Sequence, residues 1–170
     1  VLNDFRAKFK GQDGFQRQNW EQAARFSLTN GGDLNEALGW VDAAIAGQFF
    51  SQKTFNNVAL KGQILNKLGR VDEYAALMDE ASAMANTAQL NALGYQMIGT
   101  KDFDRALKYF KLNVANNPEN ANGYDSLGDG YKAIGDKKNA IKNYKKCLTL
   151  SPSANVKAAS EASLKELGAL

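Results

Sequence analysis

Residues 121–154 read Ala-Asn-Gly-Tyr-Asp-Ser-Leu-Gly-Asp-Gly-Tyr-Lys-Ala-Ile-Gly-Asp-Lys-Lys-Asn-Ala-Ile-Lys-Asn-Tyr-Lys-Lys-Cys-Leu-Thr-Leu-Ser-Pro-Ser-Ala. Tyr124, Leu127, Gly128 and Tyr131 recur at i, i+3, i+4 and i+7, which is one face of a helix. Gly135-Asp136 then breaks the run. Glycine tolerates the left-handed backbone that ends a helix, and aspartate caps the next one through its side-chain oxygen. A second helix follows, with Ala140, Ile141, Tyr144, Cys147 and Leu148 on one side. Ser151-Pro152 stops it, because a residue before proline is pushed out of the helical region. Gly128 and Ala140 are small enough to let two antiparallel helices approach closely, and Tyr124, Tyr131 and Tyr144 fill the space that is left.

The order aromatic, Leu-Gly, Tyr, Ala, aromatic, small residue and Pro, carried here by Tyr124, Leu127, Gly128, Tyr131, Ala140, Tyr144, Cys147 and Pro152, resembles the tetratricopeptide repeat. The rest of the chain reads as variations on that unit. Residues 17–50 form a degenerate first copy. Trp20, Ala23 and Ala24 take the aromatic and small places, and Asn30-Gly-Gly-Asp33 is a turn with one extra residue. Ser27 replaces the usual Tyr, and Ala37, Val41, Ala44 and Ile45 line the second helix. Phe49-Phe50 lies in the connection and is expected to be buried between copies. Residues 55–86 form a second copy, two residues short and without the proline. Gly62, Leu65, Gly69, Met78 and Ala81 are in place, but Lys61 stands in the Leu slot and Tyr74 in the Ala slot. Residues 87–120 form a third, with Leu90, Leu93, Gly94, Met97, Ala106, Phe110 and Pro118 in place. There Thr100-Lys-Asp102 replaces the Gly-Asp turn, and Gly99 sits two residues early. The residues in the Ala slot (Ala37, Tyr74, Ala106 and Ala140) are spaced by 37, 32 and 34, a near-regular period that chance motifs do not keep.

Residues 153–168 read as a capping helix, with Ser153 at its start and Val156, Ala159, Leu164 and Leu167 on its apolar side. Residues 1–16 are the least repeat-like. Leu2, Phe5 and Phe9 predict one short amphipathic helix ended by Gly11-Gln-Asp-Gly14, either a cap or remnant of a preceding domain, or a docking helix. The expected fold is therefore all-α, a tetratricopeptide-like solenoid of helix–turn–helix repeats over 17–168 with a C-terminal capping helix. The resemblance implies a right-handed superhelix whose first helices line a concave groove for a peptide or protein segment. More loosely, the order of repeats resembles the C-terminal repeat region of some secreted or periplasmic bacterial proteins of unknown function.

The 170 residues are 44% hydrophobic and 23% charged, ordinary for a globular protein. A net charge of +3 with interspersed signs is too mild to imply nucleic acid. Lys138, Lys142, Lys145 and Lys146 stripe the last second helix, but Tyr144 is committed to the core, so a solvated convex face is expected there. The chain has no histidine, which removes Ser-His-Asp and Cys-His nucleophile systems and most zinc sites. The single cysteine, Cys147, falls at a core position and is expected to be inert. Gly31-Gly32 and Gly128-Asp-Gly130 lack the lysine and preceding strand of a phosphate loop. No enzyme activity, cofactor or metal is expected. There is no apolar run near the length of a membrane span and no signal peptide. A soluble protein of the bacterial cytoplasm or periplasm, monomer or weak homodimer, is expected. The chain begins at Val1 without an initiator methionine, as a fragment or processed chain would.

The resemblance carries its groove positions, which share one helical face, onto this chain. They are Gln18, Glu21, Arg25 and Leu28; Asn56, Ala59, Gln63 and Asn66; Ala88, Asn91, Tyr95 and Ile98; and Asn122, Asp125, Asp129 and Lys132. The lining is rich in amides, which bond a peptide backbone without regard to its sequence. Asp125 and Asp129, one turn apart, are expected either to hold a cationic side chain between them or simply to be solvated. Relatives that clamp chaperone C-termini use Lys, Asn and Arg, and only Asn91 fits that set, so the resemblance argues against such a clamp. The alternative to a peptide groove is a non-catalytic auxiliary or dimerisation region of a larger bacterial protein, contacting its partner through Leu2, Phe5, Phe9 or the convex face.

Overall fold

In the computed structural model, which describes residues 1–47 and 50–170, the chain is all-α, with ten helices and no strand among the described residues. They fall into two compact units, Val1–Met84 and Ala85–Leu170, each holding two helix pairs. Unit 1 comprises α1 (Leu2–Lys8), a short 3-10 turn (Gln12–Phe15), α2 (Arg17–Asn30), α3 (Leu34–Ala46), α4 (Phe55–Lys67) and α5 (Val71–Met84). Unit 2 comprises α6 (Thr87–Gly99), α7 (Phe103–Asn116), α8 (Ala121–Ala133), α9 (Lys137–Thr149) and α10 (Ala154–Glu166). In unit 1, α4 packs against α2, α3 and α5, and in unit 2, α8 packs against α6, α7, α9 and α10.

Each pair is closed by the same turn. A residue one or two places past the first helix is left-handed, at φ +74° in Gly31, +78° in Gly69, +62° in Lys101 and +78° in Gly135. A backbone N–H then reaches back five residues: Gly32 to Ser27, Arg70 to Leu65, Asp102 to Met97 and Asp136 to Tyr131, each 2.9 Å. Asp33, Asp102 and Asp136 accept backbone N–H groups of the following helix. Gly32 is the extra residue of the first turn. Lys101, not Gly99, takes the left-handed place in the third.

Across each pair a small residue faces a large one. A Cβ added to Gly128 would stand 2.6 Å from the Tyr144 ring, and one on Gly94 or Gly62 would overlap Phe110 or Met78. Tyr144, Phe110 and Met78 are all fully buried. Tyr74 is buried in the slot that alanine takes in the other copies. Tyr124 and Tyr131 are only half-buried, beneath the ammonium groups of Lys146 and Lys111.

The N-terminal segment folds onto its own unit. Leu2, Phe5 and Phe9 pack against a core that includes Ala23, Ala24, Trp40 and Val41. Phe9 stacks on Trp20 with centroids 3.9 Å apart, and the Trp20 indole N–H donates to the Gly14 carbonyl at 2.8 Å. Phe50 stacks on the other side of the connection, 5.8 Å from Trp20, while Phe49 lies outside the described residues. At the other end, α10 buries Ser160 and Leu164. Ala159, expected on that apolar side, is exposed, and Ser153 begins the helix without a side-chain capping bond. Three consecutive alanine and serine residues leave little apolar area to orient α10, so a polar contact from Ser160 helps set its face.

Two substitutions test this packing by urea denaturation followed by circular dichroism. Gly128→Ala should destabilise the chain by about 1–3 kcal/mol, because the new methyl meets a ring that has no room to move. An unchanged midpoint would show that the close approach is not a constraint. Lys101→Gly should stabilise by about 0.5–1 kcal/mol, the relief of left-handed strain less the extra chain entropy of glycine. A loss of stability would mean that the Lys101 side chain contributes more than its backbone costs.

Candidate binding surfaces

The first helices of the pairs carry the candidate positions. In unit 1, α2 lies against α4. Glu21 is tied across that contact: Asn57 Nδ2 donates to its Oε1 at 3.1 Å, and Arg17 Nε lies 3.0 Å from the same oxygen. Asn57 also donates to the Gln52 carbonyl at 2.7 Å and forms a reciprocal cap with Thr54. Glu21 thus joins two helices and is not at the disposal of a ligand. Gln18, Arg25, Asn56 and Asn66 are exposed, Gln63 and Leu28 are half-buried, and Ala59 is buried. Arg17, Gln52 and Asn57 were not among the expected groove residues. The Thr54-to-Asn57 spacing of a capping box was the signal that could have found Asn57.

In unit 2 the two groove aspartates have different fates. Asp125 is 7% exposed and lies beneath α10, where Ser160 Oγ donates to Oδ1 at 2.5 Å. It is neither solvated nor open to a cation. Burial pushes its carboxyl above the usual range, the Ser160 hydrogen bond opposes that, and the nearby charge of Asp129 adds to the rise. Asp129 stays half-exposed and takes two phenols: Tyr144 donates to Oδ1 at 2.7 Å and Tyr95 to Oδ2 at 2.6 Å. Both phenols are held far above their ordinary range, first by burial and then by the hydrogen bond each donates to this carboxylate. Tyr95 Oη also lies 3.2 Å from Ser126 Oγ. Its ring is 40% exposed and meets the edge of Phe110 at 5.2 Å. Lys132 pairs with Glu166 of α10 at 2.5 Å. The expected cation site between two carboxylates is therefore reduced to Asp129 alone.

Asn91, Asn122, Asn56, Gln63 and Asn66 make no side-chain hydrogen bond among the described residues, and the Asn91 Oδ1 is buried without a partner. Cys147 is fully buried, and burial pushes its thiol up, away from the thiolate that chemistry would need. No group of three His, Cys, Asp or Glu side chains able to hold a metal occurs among the described residues.

Residues 121–153 match the family model of the tetratricopeptide repeat. The chain carries a tetratricopeptide repeat. Solved structures share the fold of the chain around it. A crystal structure of MamA superposes with a TM-score of 0.58 at 15% identity, covering 88% of this chain and 85% of that one. MamA AMB-1 does so at 0.51 and 21% identity over 90% and 83%. YrrB, described as a TPR protein with an unusual peptide-binding site, does so at 0.58 and 16% identity over 95% and 81%. No curated protein matches the sequence significantly. The fold is thus an all-α helical repeat of the tetratricopeptide type, and the matched repeat is the α8–α9 pair, the one that holds Asp125 and Asp129.

That repeat yields a pH test. The folded-state pKa of Asp125 lies above its unfolded value, so the folded protein takes up this proton first as pH falls. Ionised Asp125 therefore weighs against stability above its folded pKa, and protonation relieves that cost. Asp125→Asn keeps the shape and removes the titration. The stability of the native chain relative to this variant should rise as pH drops from about 7 toward about 4, read from urea midpoints at each pH. A relative fall would mean that the Ser160 bond outweighs burial.

Proposed function

We propose that this chain is a protein-interaction module that takes an extended peptide or protein segment on the amide-bearing face of the first helices of a unit. One observation carries the proposal: the side chains of Asn56, Gln63 and Asn66 in unit 1, and of Asn91 and Asn122 in unit 2, stand at those positions with no hydrogen-bond partner among the described residues. An amide offers two donors and an acceptor, so such a row suits the regular N–H and C=O groups of a peptide backbone. YrrB, of like fold, is described as having a peptide-binding site, which agrees with this use of the scaffold.

Catalysis is the weaker reading, because the chain has no histidine and its one thiol is buried with its proton held. Dimerisation through the N-terminal helix is also disfavoured, since Leu2, Phe5 and Phe9 are spent on the core of their own unit. No described helix is long and apolar enough to cross a membrane.

The test is selection of binders from a random displayed-peptide library on the full chain, followed by titration against substituted chains. Asn91→Ala/Asn122→Ala, or Asn56→Ala/Gln63→Ala/Asn66→Ala, should weaken a selected peptide by about tenfold, the loss expected from a few backbone hydrogen bonds. Peptides that bind both substituted chains as tightly as the native one would place recognition elsewhere.

A further inference from the structure

Unit 2 holds an aromatic ring and a carboxylate that its own packing does not use up. Tyr95 belongs to α6 and Asp129 to α8, and the phenol-to-carboxylate bond of 2.6 Å fixes one against the other. Phe110 meets the ring edge-on from one side, and the Tyr95 ring is the most exposed aromatic surface of the unit. A phenol held at its hydroxyl and packed against a second ring keeps its orientation. It presents a face of fixed orientation at almost no entropic cost to a ligand.

The charge beside it is unbalanced. Asp129 accepts two hydrogen bonds, both from neutral phenols, and no cation pairs with it among the described residues. The one lysine on its side of α8, Lys132, is engaged by Glu166. Asp125 one turn away adds no positive charge. Each Asp129 oxygen uses one lone pair on a phenol and keeps another. Asn91 lies one turn before Tyr95 on α6, and Asn122 two turns before Asp129 on α8, so the unpaired amides flank the ring and the carboxylate.

We propose that Tyr95 and Asp129 form a subsite for an arginine side chain of the segment bound on unit 2. The proposal rests on the groove reading above and names what unit 2 would select. A guanidinium lying flat on the Tyr95 ring places its N–H edge toward the Asp129 carboxylate, combining stacking with a charge-assisted hydrogen bond. Arginine suits the pair better than lysine, because a planar cation covers a ring and an ammonium does not. The Asn91 and Asn122 amides then meet the backbone of the same segment.

The experiment titrates the full chain, carbon-13 labelled in its tyrosine rings, with three acetylated and amidated pentapeptides, each with a central residue flanked by two alanines on either side. The central residue is arginine, lysine or citrulline, the last having the shape of arginine without its charge. Four chains are compared: native, Asp129→Asn, Tyr95→Ala and Asn91→Ala/Asn122→Ala. Asp129→Asn keeps an acceptor for the phenols, and urea midpoints verify that each chain is folded. The arginine peptide should shift the Tyr95 ring resonances saturably, with citrulline about tenfold weaker and lysine in between. Asp129→Asn should erase the difference between arginine and citrulline, and Tyr95→Ala should weaken the arginine peptide most. Equal binding of arginine and citrulline peptides, lost in Asn91→Ala/Asn122→Ala, would end the arginine subsite and leave the groove reading standing. Absence of saturable binding by any of the three would end both.

Discussion

The contact on which each helix pair depends is a missing side chain opposite a large one. Gly128 leaves room for Tyr144, Gly94 for Phe110 and Gly62 for Met78. Glycine inside a helix costs up to about 1 kcal/mol relative to alanine. The pairs accept that cost because the large side chain then sits fully buried between two backbones, where apolar burial contributes about 1.5–3 kcal/mol. The turn follows from the same demand. Two helices that approach this closely need a sharp reversal, and the left-handed residue with a backbone bond reaching back five residues supplies it in all four pairs. The third pair shows that the geometry matters more than the residue, since Lys101 adopts the same backbone without being glycine.

Tyr144 connects this packing to the polar side of unit 2. Its ring fills the gap left by Gly128, and its hydroxyl, which cannot be buried unpaired, ends on Asp129. Asp129 in turn fixes Tyr95 on a different helix. A single carboxylate thereby joins α6, α8 and α9. In unit 1 the corresponding service is performed by Glu21, which ties α2 to α4 through Asn57. Both acids stand where the helix period places groove residues, and both are partly consumed by holding the first helices together.

The repeat was legible because its pattern is mostly backbone physics. A Gly-Asp pair, a small residue four after an aromatic, and a proline at the end each report a local geometry, and together they point to an all-α fold of helix–turn–helix pairs. The extra residue of the first turn was legible too, as Gly32 between the left-handed Gly31 and the cap Asp33. The placement of Asp125 was not. Its position on the α8 face predicts a groove, and only the packing of α10 over α8 reveals that Ser160 reaches it from 35 residues away. Ala159 misled for a related reason. By apolarity alone it belongs in the core, but Ser160 is drawn there by the carboxylate it satisfies, and a helix cannot bury both neighbours on one face.

The division of the aspartate pair follows from what each neighbouring helix offers. Asp125 is approached by α10, which brings a hydroxyl and no cation, so its charge is buried against its preference and its pKa rises. Asp129, one turn along, is approached by two phenols whose own ionisation is suppressed, so they act as fixed neutral donors. The first arrangement spends a carboxylate on seating a helix. The second orients a carboxylate and a ring without neutralising the charge. Asparagine in its place would offer one acceptor oxygen and an amide nitrogen that only donates, so it could not take a phenol on each side-chain atom as the carboxylate does. The negative charge left without a cation beside an exposed ring is the feature on which the proposed selection of an arginine by unit 2 rests.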